Sequence, residues 1–572
     1  MEHHHPHQHG HAAASGPADV PPALDLSIPD EALDPGDVSR RGFLRSAGLL
    51  GAGLVGAGAL APEAAFAAPR PDDDDADRQG RPRRQSAGYR WLAGDHHIHT
   101  QYSPDGLYRV NDHARHAAAY GLDWMVITDH GGPQHARIGV ERVNPDIRAA
   151  RADFRDLLIF QGLEWNIPAA EHGTVFVHPG SNEVAVLQEF EQAYDGVVRA
   201  ATASTPANEA LAIAGVNFLN DAVTRRRIRD ALFLANHPAR KGIDSPHEIR
   251  GWRDAAPRIA VGMEGAPGHQ AAGIPAPHGP GAARGYYDNG PAPESFPLYP
   301  AESYRTYGGF DWMTSTVGGL WDSLLAEGKA WWISANSDSH VVYNDTATRG
   351  PGSDFPTNGY YNDPVYSGTP SRTAGDFWPG YYSRTHVGAR SLSYASVMDG
   401  IRAGRVWVDH GGLLSGLDVQ ARVVGARSGG VTLGGTLSVR PGARVELVIT
   451  IDLATSPNWA QFVPRLARVD VIAGEVTGPA TDRDAFVAPR TRVVRSFDVS
   501  GSTGRVTLTY PIGAADRPMY FRLRGTDGKR TAVGLGGPTV DPAGPAMDEV
   551  GNADPWQDLW FYANPIWVLP GS

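Results

Sequence analysis

Met125-Val126-Ile127-Thr128-Asp129-His130 decides the fold class: an apolar run of strand length that ends in a metal-ligating side chain. Such a run reads as a strand buried on both faces, as in a sheet covered by helices. The same plan recurs in Ile159-Phe160-Gln161-Gly162-Leu163-Glu164-Trp165, in Ala231-Leu232-Phe233-Leu234-Ala235-Asn236-His237-Pro238, and in Ala330-Trp331-Trp332-Ile333-Ser334-Ala335-Asn336-Ser337-Asp338-Ser339-His340. Upstream, Gly94-Asp95-His96-His97-Ile98-His99-Thr100-Gln101-Tyr102-Ser103-Pro104-Asp105-Gly106 joins strand character to a cluster of ligand-type residues. Helical stretches such as residues 112–120 separate the strands, which predicts an α/β fold. Parallel strands need such crossovers and bring their C-terminal ends together.

Alternation along a strand puts His97 and His99 on one face and His96 on the other. Asp338 and His340 repeat that spacing, although an Asp-Ser pair also caps helices. Asp105 lies in Ser-Pro-Asp-Gly, a turn in any protein, and its place after the histidine pair makes it a ligand candidate. His130 is followed by Gly131-Gly132, and His237 is held extended by the proline after it. Downstream of Glu164 two histidines compete, His172 at a strand start and His178 before Pro179, with His172 preferred. Arg240, beside Lys241, is placed to grip phosphate oxygens in a bidentate way or to form a solvated surface pair. Asp129 lies opposite the ligand face and reads as structural. Glu264 and His269 are candidates for touching substrate.

The ordered set, a His-x-His with Ser-Pro-Asp-Gly, then Thr-Asp-His, Glu, Asn-His-Pro and Asp-Ser-His, resembles the PHP (polymerase and histidinol phosphatase) family of metal-dependent phosphoesterases over roughly residues 90–410. It is most similar to secreted, carbaryl-hydrolase-like members, on His172-Gly173-Thr174-Val175-Phe176-Val177 after Glu164 and on Asn564-Pro565-Ile566-Trp567-Val568 near the end. The resemblance implies a distorted seven-stranded βα barrel holding two or three divalent ions. His97, His99, Asp338 and Glu164 would hold one, and Glu164 would bridge to a second on His172 and His237. Asp105, His130 and His340 would hold a third. Imidazoles and carboxylates without thiolates suit Mn, Zn or Fe. The implied reaction is phosphoester hydrolysis by water ionised at the metals, with Arg240 on the phosphoryl group and His340 or a water protonating the leaving group.

The chain has 572 residues, a formal charge of −12 and no cysteine, so thiolate chemistry and disulfides are excluded and no basic surface advertises nucleic acid as a routine partner. Residues 1–38 read as a His-rich leader and 39–68 as a twin-arginine export signal. Ser39-Arg40-Arg41-Gly42-Phe43-Leu44-Arg45 precedes an apolar run from Ser46 to Leu60 and the cleavage-like Ala65-Phe66-Ala67. That run is short and glycine-laden for a membrane anchor. An extracellular or cell-envelope location and no membrane insertion after cleavage follow. Residues 69–88 form a charged linker, 89–412 the metallohydrolase domain, and 413–572 a β-sandwich of short alternating strands. Insertions at 265–315 and 341–386, rich in Gly, Pro and Tyr, read as a cap over the site.

The leading function is hydrolysis of a small-molecule phosphoester. One alternative keeps the site for a carboxylester, carbamate or amide, which the aromatic insertions favour. Another is a non-catalytic metal-bearing surface module. Oligomeric state is not legible in the sequence.

Overall fold

The computed structural model describes residues 88–268, 291–304, 306–426, 430–528 and 558–571. The expected leader, the export signal, nearly all of the linker, and His269 lie outside the described residues. Strands and helices alternate first: β1 (Arg90–Asp95), α1 (Val110–Ala119), β2 (Trp124–Ile127), α2 (Val140–Asp153), β3 (Leu158–Asn166), β4 (His172–Val177), α3 (Glu183–Tyr194), α4 (Pro206–Thr224), β5 (Ala231–Ala235), α5 (Pro246–Ala255), β6 (Ala260–Ala266), α6 (Leu320–Ala326) and β7 (Trp332–Ala335). Local chemistry sets the helix starts. Thr205 caps α4 with Pro206 behind it, and Ser245 with Glu248 forms a capping box on α5. Every residue of β2, β5, β6 and β7 is buried, as the continuous apolar runs predict.

Apart from two short two-residue hairpins, the remaining strands are β8 (Ser383–Ala389), β9 (Val406–His410), β10 (Leu414–Val423), β11 (Thr436–Val439), β12 (Arg444–Leu453), β13 (Arg468–Glu475), β14 (Arg492–Asp498), β15 (Arg505–Ala514), β16 (Met519–Thr526) and β17 (Trp560–Pro570). One large sheet runs β14-β13-β16-β17-β9-β8-β1-β2-β3-β4-β5-β6-β7, with β11 added on β17. Within it β1–β2–β3 and β5–β6–β7 are parallel. The sheet is not parallel throughout, however. β4 runs against both β3 and β5, because residues 167–171 make a connection too short for a crossover, and β8 runs against β1. The reversal starts β4 at the C-terminal end of β3, which is where His172 is needed.

No backbone ladder among the described residues joins β7 to β1. A single parallel bridge, Ile98 with Ser339, links the extensions beyond their ends, with His99 N donating to Ser339 O at 3.0 Å. The described residues therefore show a mixed α/β sheet in which β7 reaches β1 at this one bridge, not a continuously laddered barrel.

The C-terminal strands form two layers. β10-β12-β15 is a separate sheet, and its inward residues Leu417, Val419, Leu447 and Ile449 share one core with Val469, Val471, Phe521, Leu523 and Phe561 of the large sheet. That second layer is continuous with the N-terminal half, because β17 pairs with β9 through Trp407–Ala563, Val408–Tyr562 and Asp409–Phe561.

The insertion after His340 is shorter than expected, since β8 begins at Ser383, and it is not devoid of regular structure. It holds the hairpin Ala347–Thr348 with Val365–Tyr366 and a one-turn helix, Phe355–Asn358. It rests on the Ser-Pro-Asp-Gly turn, where Arg349 Nη2 and Tyr361 OH both donate to Pro104 O. Among the described residues no helix is long and apolar enough to cross a membrane.

Candidate metal centre

β1 ends at Asp95, whose carboxylate accepts the His97 N–H at 3.0 Å and stops the ladder. The chain stays extended, so the alternation read from sequence holds. His97 and His99 face one basin, while His96 turns away to Ser334 Oγ at 2.7 Å and Thr174 Oγ1 at 3.3 Å. Asp129 likewise points away and accepts the N–H and the hydroxyl of Thr100.

Glu164, near the end of β3 and 1% exposed, is the centre of the basin. Its Oε1 lies 3.1 Å from His97 Nε2, His172 Nδ1 and His237 Nε2. Its Oε2 lies 3.0 Å from His130 Nδ1 and 3.4 Å from His99 Nε2. Five histidines from four strand ends therefore divide between the two oxygens of one carboxylate. Asp338 Oδ1 is 3.1 Å from His97 Nε2 and 3.2 Å from His99 Nε2. Asp105 Oδ2 is 3.1 Å from His130 Nε2 and 3.4 Å from His340 Nε2, and the His340 ring stacks on His99 at 3.8 Å.

All nine residues nominated as ligands from sequence thus converge. Their ligand atoms group as His97/His99/Asp338, His130/Glu164/His172, Glu171/His172/His237 and His99/Asp105/His130/His340. These groups differ from the implied division: His99, His130 and His172 each belong to two groups, Glu164 groups with His130 and His172 only, and Glu171 joins His172 and His237. His178 stays out, its ring nitrogen 2.9 Å from Pro179 O.

The arrangement fits divalent cations. His97 Nε2 and His99 Nε2 stand only 2.9 Å apart, with two carboxylates beside them. That places more lone pairs than protons around one point, a surplus that a cation resolves. Nitrogen and oxygen donors without thiolate suit Mn, Zn or Fe.

Electrostatics follows burial and proximity. Burial alone would raise the Glu164 pKa, but His130, His97 and His172 hold it well below the usual carboxylate range. Burial pulls His97 down, yet Asp338, Glu164 and Glu264 outweigh it and hold it well above the ordinary imidazole value. His99 is pushed down to about 3, by burial first and then by His340 and His130.

Arg240 comes to the rim but is engaged: its Nη2 donates to Glu171 Oε2 at 2.9 Å, and Lys241 Nζ lies 3.4 Å from Glu171 Oε1. Glu264 is fully buried behind His97, 2.6 Å from His97 Nδ1, so the expectation that it touches substrate is corrected. Sequence reasoning did not nominate Glu171, Asn236 or Asp376. Asn236 Nδ2 donates to Glu164 Oε1 at 3.1 Å, and Asp376 Oδ2 accepts the His340 N–H at 2.8 Å. Glu171 and Asn236 carried a local signal, each standing immediately before a nominated histidine, His172 and His237.

The stretch from the end of β1 into β5 has a recognisable family pattern. Residues 95–233 match the PHP domain. The matched stretch takes in His97, His99, Asp105, His130, Glu164 and His172, and His237, Asp338 and His340 join them in space from beyond it. Among solved structures, the chain is similar to a two-domain protein from Bacteroides vulgatus containing a predicted PHP-like metal-dependent phosphoesterase. Identity is 15% and the TM-score 0.31, over 81% of this chain and 96% of that one. It is also similar to Endonuclease Q, in complex with a 27-mer duplex carrying an abasic lesion, at 12% identity and a TM-score of 0.25, over 55% of this chain and 56% of that one. No curated protein matches the chain.

Proposed function

We propose that this protein is an exported metal-dependent hydrolase that cleaves a small-molecule phosphoester in a multinuclear site. The observation that carries the reading is Glu164, one buried carboxylate shared among His97, His99, His130, His172 and His237. His97, His99 and Asp338 would hold one ion, Glu164 with His172 and His237 a second, and Asp105, His130 and His340 a third. Such ions lower the pKa of bound water and offset charge gathering on phosphoryl oxygens.

The chain's own residues supply the rest. Glu171 is one carboxylate facing two cations, Arg240 and Lys241, so this side of the rim keeps one positive charge in excess, suited to an anionic substrate. With His340 engaged as a ligand beside Asp105 and its Nδ1 facing the Asp338 carbonyl, the proton for the leaving oxygen would come from a water at this one-fifth exposed edge of the site. Buried Asn236 and Glu264 fix the inner wall. We read β1–β7, with their margins meeting at Ile98 and Ser339, as a distorted PHP-type barrel, and the two C-terminal layers as a sandwich. Export rests on the twin-arginine sequence.

The test is metal analysis of the purified protein, followed by assay of the Mn- or Zn-loaded form on nitrophenyl phosphate, bis-nitrophenyl phosphate, nitrophenyl acetate and a naphthyl carbamate. Turnover of a phosphoester that chelation abolishes supports the proposal. Turnover confined to the acetate or carbamate replaces it with the ester reading, and silence on all four with a bound metal favours a non-catalytic module.

A further inference from the structure

Glu264 stands on β6, across the basin from β1, and its two oxygens serve two ligands at once. Oε1 lies 2.6 Å from His97 Nδ1, and Oε2 accepts the His237 backbone N–H at 2.7 Å. All three residues are buried, at 0%, 0% and 1% exposure. His237 has a φ of 31°, a left-handed conformation that costs a non-glycine residue free energy unless its surroundings hold it.

We infer that Glu264 is a positioning residue that fixes the His97 tautomer and the His237 backbone together, and so sets the two metal-facing nitrogens that meet Glu164 Oε1. The inference rests on the metal-centre reading above. An ionised carboxylate only accepts, so it requires His97 to carry its proton on Nδ1, and this leaves the Nε2 lone pair toward Glu164 and Asp338. The His237 N–H can only donate. A glutamine at 264 has one acceptor and one donor group, so its oxygen must serve His237 and its NH2 must face His97. His97 Nδ1 then becomes the acceptor, and its proton moves to Nε2, into the metal basin. A change of one atom with almost no change of shape thereby blocks a ligand nitrogen more than one side chain away.

Glu264→Gln is compared with the wild-type full chain in two measurements. Nitrogen-15 NMR of labelled histidines in the metal-free protein, recorded at a pH above the titration of His97 so that the ring is neutral, reports the His97 tautomer, which is expected to switch from Nδ1–H to Nε2–H. Zinc titration against a competing chelator is expected to show one ion bound about 10- to 100-fold more weakly, with the others held as in the wild type. A merely structural role would lower the melting temperature of the metal-free protein and leave the tautomer alone. The same tautomer in both proteins overturns the inference, as does equal zinc affinity. If the wild type takes up no zinc, the metal-centre reading fails, and the tautomer still judges Glu264 on its own.

Discussion

The Thr385 hydroxyl accepts the Ala335 N–H at 2.8 Å and donates to the Ala335 carbonyl at 2.6 Å, so one side chain satisfies both backbone groups on the outer edge of β7. Asn564 Oδ1 does similar duty by accepting the Ile333 N–H at 3.0 Å. The edge strand that presents Asp338 and His340 is therefore sealed by side chains of β8 and β17, with no strand ladder on that edge among the described residues. Thr385→Val keeps the shape and removes both partners. Leaving a buried donor and acceptor unmet predicts a loss of about 2–4 kcal/mol. Urea unfolding checks it, and a loss below about 1 kcal/mol would show that water replaces the hydroxyl.

The C-terminal strands are expected to be inseparable from the metal-bearing half. Asp322 on α6 makes a bidentate, fully buried pair with Arg522 on β16, with both contacts at 2.7 Å. Asp322→Ala strands the guanidinium without its counter-charge and should destabilise by about 3–5 kcal/mol. Truncation after Gly412 should give insoluble protein, because it bares the β9 edge that β17 covers. Soluble, cooperatively melting residues 89–412 would refute this.

Much of the site was legible because its ligands sit at strand ends, where a single strand's alternation and its last residue fix direction. His97, His99, His130, Glu164 and His237 needed no partner to be recognised. Less was legible where the decisive contact spans the chain. Glu264 meets His97 across 167 positions, and Asp376 meets His340 from inside an irregular insertion, so neither leaves a local pattern. The antiparallel turn of β4 was hidden for a different reason: a short strand buried on both faces reads the same in either direction. Continuity of the sheet through β9 and β17 was hidden likewise, since alternating C-terminal strands suggest a sandwich whichever neighbour they pair with.

Removing metal should cost stability as well as activity. Ions that bind the folded chain at a hundredfold excess over their dissociation constant contribute about 2.7 kcal/mol. A chelator is expected to lower the melting temperature of the wild type, and added Mn or Zn to restore it. Glu164→Gln, which removes the negative charge of the shared ligand position and leaves one acceptor oxygen, should show a smaller chelator-induced shift, read by differential scanning calorimetry with metal analysis. An equal shift in both proteins would remove Glu164 from its central place.

Away from the metals, Glu248 of the α5 capping box gives a pH dependence with a definite sign. Burial pushes its pKa from 4.5 up to about 7, against the opposing hydrogen bonds from Ser245. Between those values the folded chain keeps a proton that the unfolded chain has released, so stability must fall as pH rises through that window. The favourable contribution is complete below 4.5 and gone above about 7. Glu248→Gln preserves the box geometry, since glutamine also serves at that position, and has no proton to lose. The variant is therefore expected to gain on the wild type steadily from pH 4.5 to about 7 and to hold a constant advantage beyond it, as measured by urea midpoints across that range. Midpoints that run parallel from acid to neutral would mean that Glu248 titrates alike in both states, and that Ser245 compensates its burial in full.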